Sequence, residues 1–188
     1  MFQSDQFISK EHLQKWSEKL GFEFKTQSAK KGEVFLKHKQ RCHYFYYVSK
    51  GFIRLYYLDL DGQEMTHWFS AEKMMITSPF SFFKEETNIL NFQALEDTEL
   101  ILISKDQLNL LSDQIDQANK AFQSLFVEFA MRLSRRIMSI HTESAEYRYL
   151  KLLEEHPLIF QKAKLAHISS YLGITQQSLS RIRKKLVH

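Results

Sequence analysis

The stretch that decides the C-terminal fold is Lys164–Leu186, with the sequence KLAHISSYLGITQQSLSRIRKKL. From Leu165 onward its apolar residues recur three and four positions apart, which is the spacing of one helical face. Gly173 suits the end of that helix, because glycine adopts a left-handed backbone conformation without steric cost. Thr175 suits the start of a second helix, because its hydroxyl can accept a hydrogen bond from a free backbone N–H. The stretch therefore predicts two helices joined by a tight turn.

The second of these helices has two chemically different faces. Its apolar residues, Leu179, Ile182 and Leu186, share one face and predict a packed side. The opposite face carries arginine, glutamine and lysine. In a DNA major groove, arginine binds guanine and glutamine binds adenine through paired hydrogen bonds, whereas lysine contacts phosphate. The candidate DNA-contacting residues are Thr175, Gln176, Gln177, Ser178, Ser180, Arg181 and Lys184.

A plainer explanation of this segment is a terminal amphipathic helix with a solvated basic face. Basic residues are favoured at helix C-termini by the helix dipole, so a charge run alone is weak support for DNA binding. The turn glycine, the threonine cap and the polar start of the second helix occur together here. We therefore favour a DNA-reading helix-turn-helix.

The charge distribution agrees with this interpretation. Residues 131–188 contain 11 Lys and Arg against 4 Asp and Glu, whereas residues 1–130 contain 15 against 18, so the net charges are +7 and −3. A basic C-terminal third on a mildly acidic body is typical of a nucleic-acid reader attached to another domain. Membrane-surface binding is less favoured, because the basic helix has no Trp or Phe on its apolar face.

Further features concern the compartment of the protein. Cys42 is the single cysteine, which excludes an internal disulfide and a four-cysteine iron–sulfur site. The N-terminus has no signal-peptide pattern, and no apolar run approaches the ~20 residues of a membrane span. We expect a soluble, cytoplasmic protein.

The N-terminal part of the chain is predicted to form a short helix over residues 5–22, followed by strands over residues 24–103. Residues 52–58 and 64–69 flank Asp61-Gly62, which is a strong hairpin signal. Residues 93–95 and 99–103 are interpreted as a second strand pair. Short strands at this spacing predict a sandwich or a barrel.

A long helix is predicted over residues 113–141, after a Ser104-x-x-Gln107 capping box. Its apolar residues recur every three or four positions and could form a dimer seam about 40 Å long. The alternative is a helix buried within one chain; we favour the dimer, because helix-turn-helix units commonly read two half-sites. The candidate seam residues are Ile115, Phe122, Leu125, Phe129, Leu133 and Ile137.

The order of barrel, long helix and helix-turn-helix resembles the Crp–Fnr family of bacterial transcription regulators. The motifs that carry the resemblance are Lys31-Gly32-Glu33, Tyr46–Gly51, Asp61–Glu64, Ala94–Leu100 and, most specifically, Leu172–Arg181. The resemblance implies an α+β fold with three parts. These are a jelly-roll, cyclic-nucleotide-binding-like sensor β-barrel over 1–112, a dimerisation helix over 113–142, and a helix-turn-helix domain over 143–188.

The reading helix departs from the family pattern at two positions. Arg181 stands where the family has its second base-reading arginine, but Gln176 and Gln177 stand where it usually has Arg and Glu. Amides therefore replace groups that read guanine and cytosine, which changes the expected operator sequence. The segment 157–164 is also too short for the usual β-hairpin wing, so we expect a reduced grip on phosphate.

The ligand cassette departs further. Cyclic-nucleotide-binding members carry Gly-Glu and Arg-Ser/Thr, and the corresponding positions here read Met74–Pro79 and Asn88-Ile89. No charge remains to pair the cyclic phosphate, so we expect no useful binding of cyclic AMP. A lipophilic effector pocket is a candidate, although simple filling of the barrel is favoured. The candidate pocket residues are Trp68, Met74, Met75, Phe82 and Asn88.

Enzyme functions are weaker interpretations. A cupin-like metal site would have to use His38, His43 and His67, which lack the His-x-His pair or nearby carboxylate that metal binding usually needs. No nucleophile elbow or phosphate loop is present. We expect no enzyme, no metal and no cofactor.

The expected function is a homodimeric, sequence-specific transcription regulator with double-stranded DNA as its partner. The resemblance also implies RNA polymerase as a partner and an effector-responsive barrel, but the sequence names no small-molecule effector; membrane partners are not expected. The alternative is a sensor or protein-interaction module with weak or lost DNA binding. The retained basic residues Arg181, Arg183, Lys184 and Lys185 argue against it.

Overall fold

The computed structural model describes residues 7–186, and two antiparallel β-sheets form the N-terminal half. One sheet has the strand order β1-β8-β3-β6 and the other has the order β2-β7-β4-β5. Together they make the jelly-roll type of barrel that the sequence predicts. The strands are β1 (Lys25–Ala29), β2 (Val34–Leu36), β3 (Tyr44–Lys50), β4 (Phe52–Leu58), β5 (Glu64–Ala71), β6 (Met75–Ile76), β7 (Asn91–Ala94) and β8 (Thr98–Ser104).

Eight helices surround and follow these sheets in the described part of the chain. Pro79 and Pro157 each start a short helix, where the fixed φ of proline fits and its missing N–H has no helical partner to lose. Among the described helices, none combines the length and apolar character that crossing a membrane requires. The helices are α1 (Lys10–Leu20), α2 (Pro79–Lys84), α3 (Lys105–Gln114), α4 (Asp116–Thr142), α5 (Ala145–Glu155), α6 (Pro157–Lys162), α7 (Leu165–Leu172) and α8 (Gln176–Leu186).

Strands β3 and β8 are apolar almost throughout because both of their faces are covered. Side chains alternate between the two faces of a strand. In β3, Phe45 and Tyr47 join the core against α1, α3 and α4, whereas Tyr46 and Val48 join the core between the sheets. β8 divides in the same way. A run of this kind therefore marks the middle strands of a sheet packed on both sides.

The predicted hairpin at Asp61-Gly62 is confirmed, because β4 and β5 pair as antiparallel neighbours around it. The Asp59 carboxylate also accepts backbone N–H bonds from Asp61 and Gln63, at 3.0 and 2.8 Å. The second predicted pair is wrong. β7 pairs with β2 and β4, whereas β8 pairs with β1 and β3, so the turn between them crosses from one sheet to the other.

Gly51 lies where a second connection, from β3 to β4, crosses between the sheets. Its φ of +113° belongs to a region that side chains rarely adopt. A Cβ at this position would lie 2.4 Å from Thr98 Oγ1 and 2.8 Å from Thr98 Cα. The β3–β4 and β7–β8 connections are therefore in close contact at Gly51, where only a residue without a side chain fits.

The N-terminal helix is shorter than predicted within the described residues. Residues 7–9 are not helical, and α1 begins at Lys10 after a capping box formed by Ser9 and His12. Residues 5 and 6 of the predicted helix lie outside the described part of the chain. Gly21 ends the helix in a left-handed conformation.

The predicted long helix also needs correction at its start. α3 ends at Gln114, and Ile115 is extended, with φ −134°, before α4 begins at Asp116. Ile115 is buried in the core with α1 and α3, so the chain bends at this residue instead of continuing as one helix. The capping box of Ser104 and Gln107 at the start of α3 is confirmed.

The C-terminal helices share a core with the barrel. Phe52, Phe69 and Leu95 of the barrel pack with buried side chains of α5, α6, α7 and α8. The segment 158–163, which was predicted to be a linker, is mostly occupied by α6, and its Ile159 is buried in this core. The buried members from the C-terminal helices are Tyr149, Leu152, Ile159, Ile168, Leu172 and Leu179.

Candidate nucleic-acid interface

The two helices at the C-terminus meet at the predicted glycine turn. Gly173 has φ +69°, and its N–H and that of Ile174 bond back to the last carbonyls of α7, at 3.2 Å to Ser170 and 3.0 Å to Ser169. This Schellman arrangement satisfies carbonyls that the helix end leaves without partners. The tight turn brings α8 directly against α7.

Thr175 caps the second helix as predicted. Its Oγ1 accepts a bond of 3.1 Å from the N–H of Ser178, and its hydroxyl donates to Ser178 Oγ at 3.0 Å. Leu179 is 1% exposed and fixes the apolar face of α8 in the shared core. The cap and this anchor determine which side of α8 faces solvent.

The other face of α8 is open. Of the seven candidate DNA-contacting residues, Ser178 is half-buried in the cap and the other six are exposed. The predicted apolar stripes are shorter than expected, since Leu165 and Leu186 are exposed at 44% and 40%. The open face carries Arg181, Arg183 and Lys184, with no acidic residue anywhere in α8.

The first helix of the unit, α7, is docked on the hairpin strand β5. The Ser170 hydroxyl donates to Thr66 Oγ1 at 2.8 Å and accepts from the Thr66 N–H at 3.1 Å. Thr66 Oγ1 also accepts from Arg54 Nε at 2.9 Å, and the buried Arg54 guanidinium pairs with Glu64 at 2.5 Å. The barrel therefore holds α7 through a connected polar network.

Arginines of α4 and α5 hold the other end of α7. Arg136 donates to the Tyr171 carbonyl at 3.0 Å and lies over the Tyr171 ring at 4.0 Å. Arg148 donates to the carbonyls of Leu172 at 3.1 Å and Glu143 at 2.5 Å. The orientation of the helix-turn-helix thus depends on contacts with both the barrel and the long helix.

Three histidines lie around this docked unit, and burial lowers the pKa of each to about 4. Desolvation is the main cause, because burial penalises the charged imidazolium. The Arg136 charge also lowers the pKa of His67, and Arg54 lowers that of His167. Arg132 does the same for His156.

We expect the docked structure to lose stability as the pH falls from about 6.5 to about 4. In this window the unfolded histidines bind protons that the folded ones do not, so unfolding is favoured. Thermal unfolding measured across the window should show a midpoint that falls with the pH. His167→Gln should make the fall shallower, and His141→Gln, at an exposed position of α4, should leave it unchanged. An unfolding midpoint independent of pH would contradict the assignment.

The residues of the predicted dimer seam do not share one environment: some are buried in the core and others are exposed. Ile115, Phe122 and Leu125 are buried in the core of their own chain, which corrects their assignment to the seam. The Phe129 ring lies 5.9 Å from that of Trp68 in the barrel, Leu133 is half-buried, and Ile137 is exposed. The periodicity alone could not distinguish these surroundings, because the apolar stripe of α4 is wider than one face.

A second apolar face of α4 is open to solvent, and we call it the free face. It is turned by roughly a quarter of a revolution from the predicted seam and shares Ile137 with it. Its members recur at the spacing of a packed helix pair. The free face comprises Val127, Met131, Ile137 and Met138, which are all exposed, together with the small residue Ala130. Phe126 at its edge is partly exposed and packs on the rings of Phe45 and Phe83.

The five candidate effector residues do not form one pocket. Phe82 packs on Phe45 at 5.2 Å in the core, and Asn88 is fully buried with its amide bonded to the carbonyls of Lys37 and Leu90. Trp68 and Met74 line a small cavity of about 40 Å³ next to α4 and α7, and Met75 is half-buried beside the core. The plainer explanation, that these residues fill the barrel, accounts for Phe82 and Met74.

The buried charged side chain of the barrel already has partners within the protein. Arg54 is the buried charged residue of the described chain, and it is bonded to Glu64 and Thr66. In the part of the chain that the structure describes, no group of three His, Cys, Asp or Glu converges on a metal site.

The comparisons with known proteins agree with this geometry. Residues 26–114 match the family model of the cyclic nucleotide-binding domain. FixK2 from Bradyrhizobium japonicum is 18% identical, with a TM-score of 0.73 over 88% of this chain and 85% of that one. A CRP/FNR-family transcriptional regulator from Thermus thermophilus is 18% identical, with a TM-score of 0.64 over 87% and 86% of the chains. The chain has the Crp/Fnr fold.

The likeness to solved Crp/Fnr structures extends over nearly the whole chain. The catabolite activator protein of Thermus thermophilus aligns with 99% of this chain and 87% of its own, at 17% identity and a TM-score of 0.60. No curated protein matches the sequence. One of these solved structures is described as a transcriptional regulator and another as a catabolite activator protein.

Sequence reasoning missed the residues that position the two helices α7 and α8 in this chain. These residues are common polar types whose spacing in the sequence matches no motif, and folding alone brings them together. They are Thr66, Ser170, Arg136 and Arg148. A signal existed for Arg136, which belongs to a cluster of three arginines within residues 132–136, because such a cluster beside an apolar stripe needs partners.

Proposed function

We propose that the protein is a homodimeric, sequence-specific DNA-binding transcription regulator that acts in the cytoplasm and does not respond to cyclic AMP. The observation that carries the proposal is the open basic face of α8 on a helix-turn-helix that is otherwise firmly packed. A docked unit presents its side chains in one geometry, and sequence recognition needs that geometry because base contacts are directional.

The roles of the α8 residues follow from their positions. The first half of the helix is the part that contacts base edges in helix-turn-helix proteins. In α8 this half contains Gln176, Gln177, Ser180 and Arg181. Lys184 lies one turn further on, where a phosphate contact is expected. Lys185 is held by Glu146 of α5 at 2.8 Å, so it contributes to positioning of the helix.

The free face of α4 supports the homodimer. Neighbouring apolar side chains exposed on one helix are costly in water and are typical of an interaction surface. A second copy of the same helix would cover them, and two reading units would then address two half-sites of one DNA duplex. The proposed parts remain a barrel over 1–112, a dimerisation helix over 113–142 and a DNA-binding domain over 143–188.

The first experiment is selection of binding sites from random duplex DNA with the purified, ligand-free protein. An enriched inverted repeat with half-sites about one helical turn apart is expected for a dimeric reader. Binding that depends on salt but not on sequence would contradict sequence-specific recognition by the ligand-free protein.

We expect Arg181→Ala to weaken binding to the selected site by about 1–3 kcal/mol and to relax one base position. The reason is the loss of a paired contact to a base edge. Lys184→Ala is the matched comparison, because it removes one charge from the same helix. It should weaken binding to all sequences alike and flatten the salt dependence. Repeating the selection with both variants tests this, and an unchanged base preference for Arg181→Ala would contradict the assignment.

We expect cyclic AMP not to bind in the low-micromolar range. The cassette position of the family's arginine is Asn88, whose side chain is fully buried and bonded within its own loop. The ring of Phe45 in β3 packs against Phe82 of α2 and Phe126 of α4, at 5.2 and 5.9 Å between ring centroids. Calorimetry with cyclic AMP tests the expectation, and saturable binding at low-micromolar concentration would refute it.

A further inference from the structure

We propose that a cavity between β5, α4, α5 and α7 binds an organic phosphate of nucleoside-phosphate size. The cavity has a volume of about 400 Å³. This volume falls within the range of small-molecule sites in proteins. It lies outside the cassette of the barrel, and it is distinct from the open face of α8.

The walls of the cavity are strongly basic. Among the lining residues that lie within 7–186, five basic side chains face one acidic residue, Glu155. The basic side chains are Arg132, Arg135, Arg136, Arg148 and Lys151. Burial holds the pKa of His156, which also lines the cavity, at about 4, so this histidine adds no charge at neutral pH. A multiply charged anion is therefore the matching ligand.

Three of these arginines have guanidinium N–H groups that no carboxylate of the described chain accepts. Within residues 7–186 no carboxylate pairs with Arg135, Arg136 or Arg148, whereas Arg132 pairs with Glu128 and Lys151 with Glu143. Arg136 Nη1 and Arg148 Nε are buried atoms without a hydrogen-bond partner. Buried donors of this kind are costly unless an acceptor reaches them. Phosphate oxygens suit guanidinium groups in paired, charge-assisted geometry.

The remaining wall is aromatic and apolar. Trp68, Tyr171 and Leu172 line the cavity beside the arginines. A ring system can pack against such a wall while its phosphates face the guanidinium groups. A nucleoside phosphate satisfies both halves of the site, whereas inorganic pyrophosphate satisfies the charged half alone.

The cavity remains accessible in the proposed dimer. Arg132, Arg136 and Ser139 project from the side of α4 that faces α5 and α7, whereas the centre of the free face lies on the other side of the helix. Arg135 lies between the two, next to Met131 and Met138 along the helix. A second chain on the free face would therefore leave the wall formed by Arg132, Arg136 and Ser139 uncovered. A bound phosphate would contact barrel, long helix and reading unit together, and this regulatory consequence rests on the proposed function.

The test is calorimetry with the whole protein in the absence of DNA, using pyrophosphate, ADP and adenosine as probes. We expect ADP and pyrophosphate to bind with dissociation constants below about 1 mM and adenosine not to bind. Arg135→Gln, at an exposed position with no structural bond, should weaken ADP binding by about tenfold. Lys120→Gln removes the same charge from the same helix outside the cavity and should have no effect.

Two results would overturn the proposal. One is the absence of binding by both phosphates to the folded protein, and the other is equal weakening by Arg135→Gln and Lys120→Gln. Because no DNA is present, these outcomes do not depend on the proposed regulator function. A gel shift with the selected DNA site, with and without ADP, then measures that function separately.

Discussion

Replacing Ile137 with glutamate is expected to convert the proposed dimer into a monomer and to weaken binding to an inverted repeat by at least about a hundredfold. Ile137 is 59% exposed and belongs to both the predicted seam and the free face, so the single chain tolerates the charge. In a helix pair the carboxylates of both copies would be brought together in an apolar seam, where unpaired charges are strongly disfavoured. Sedimentation and gel shift measure the two effects.

Leu110→Glu is the matched control for this prediction. Leu110 is 40% exposed on α3, outside the free face, so its replacement introduces the same charge at a similar exposure. It should leave both the oligomeric state and DNA binding intact. A dimer that survives Ile137→Glu would place the interface elsewhere, and a monomer produced by both variants would indicate general damage.

Gly51→Ala is expected to destabilise the fold by about 3–5 kcal/mol, because two independent penalties combine. The φ of +113° is strained for any side chain, and the new Cβ would lie 2.8 Å from the Cα of Thr98. A backbone atom cannot move aside without displacing the connection between β7 and β8. Chemical denaturation should therefore show a large loss of unfolding free energy.

Gly62→Ala separates these two penalties. Gly62 also has a positive φ, of +76°, but a Cβ there would meet nothing within 4 Å. Only the conformational cost of about 1–2 kcal/mol is then expected. Adding Thr98→Ala to Gly51→Ala should recover only part of the loss, because the clash with Cα remains. Equal destabilisation by the two glycine substitutions would disprove the close contact.

Local signals predicted those parts of the fold that depend on neighbouring residues. The Asp61-Gly62 hairpin, the Ser104 and Thr175 caps and the glycine turn at 173 are formed within a few positions of the chain, so sequence patterns indicate them directly. The pairing of 93–95 with 99–103 failed because the partner of a strand is chosen by the whole barrel. A short turn can join two sheets as easily as two neighbours in one sheet.

The same distinction applies to the candidate site. The exposed face of α8 follows from helical periodicity and from the single anchor Leu179. The bend at Ile115 and the division of α4 into buried and free faces depend on what covers the helix, and α1 and the barrel supply that cover from distant parts of the sequence. The contact between Thr66 and Ser170 joins residues 104 positions apart, and no local pattern indicates it.

The core shared by the barrel and the C-terminal helices makes it difficult to express either half of the chain alone. A fragment that ends before α5 would expose Phe52, Phe69 and Leu95, and helices α5 to α8 alone would expose Leu152, Ile168 and Leu172. Both fragments would carry aggregation-prone surfaces, so neither is suited to expression by itself. Proteases should accordingly trim the ends of the intact molecule before they separate its two halves.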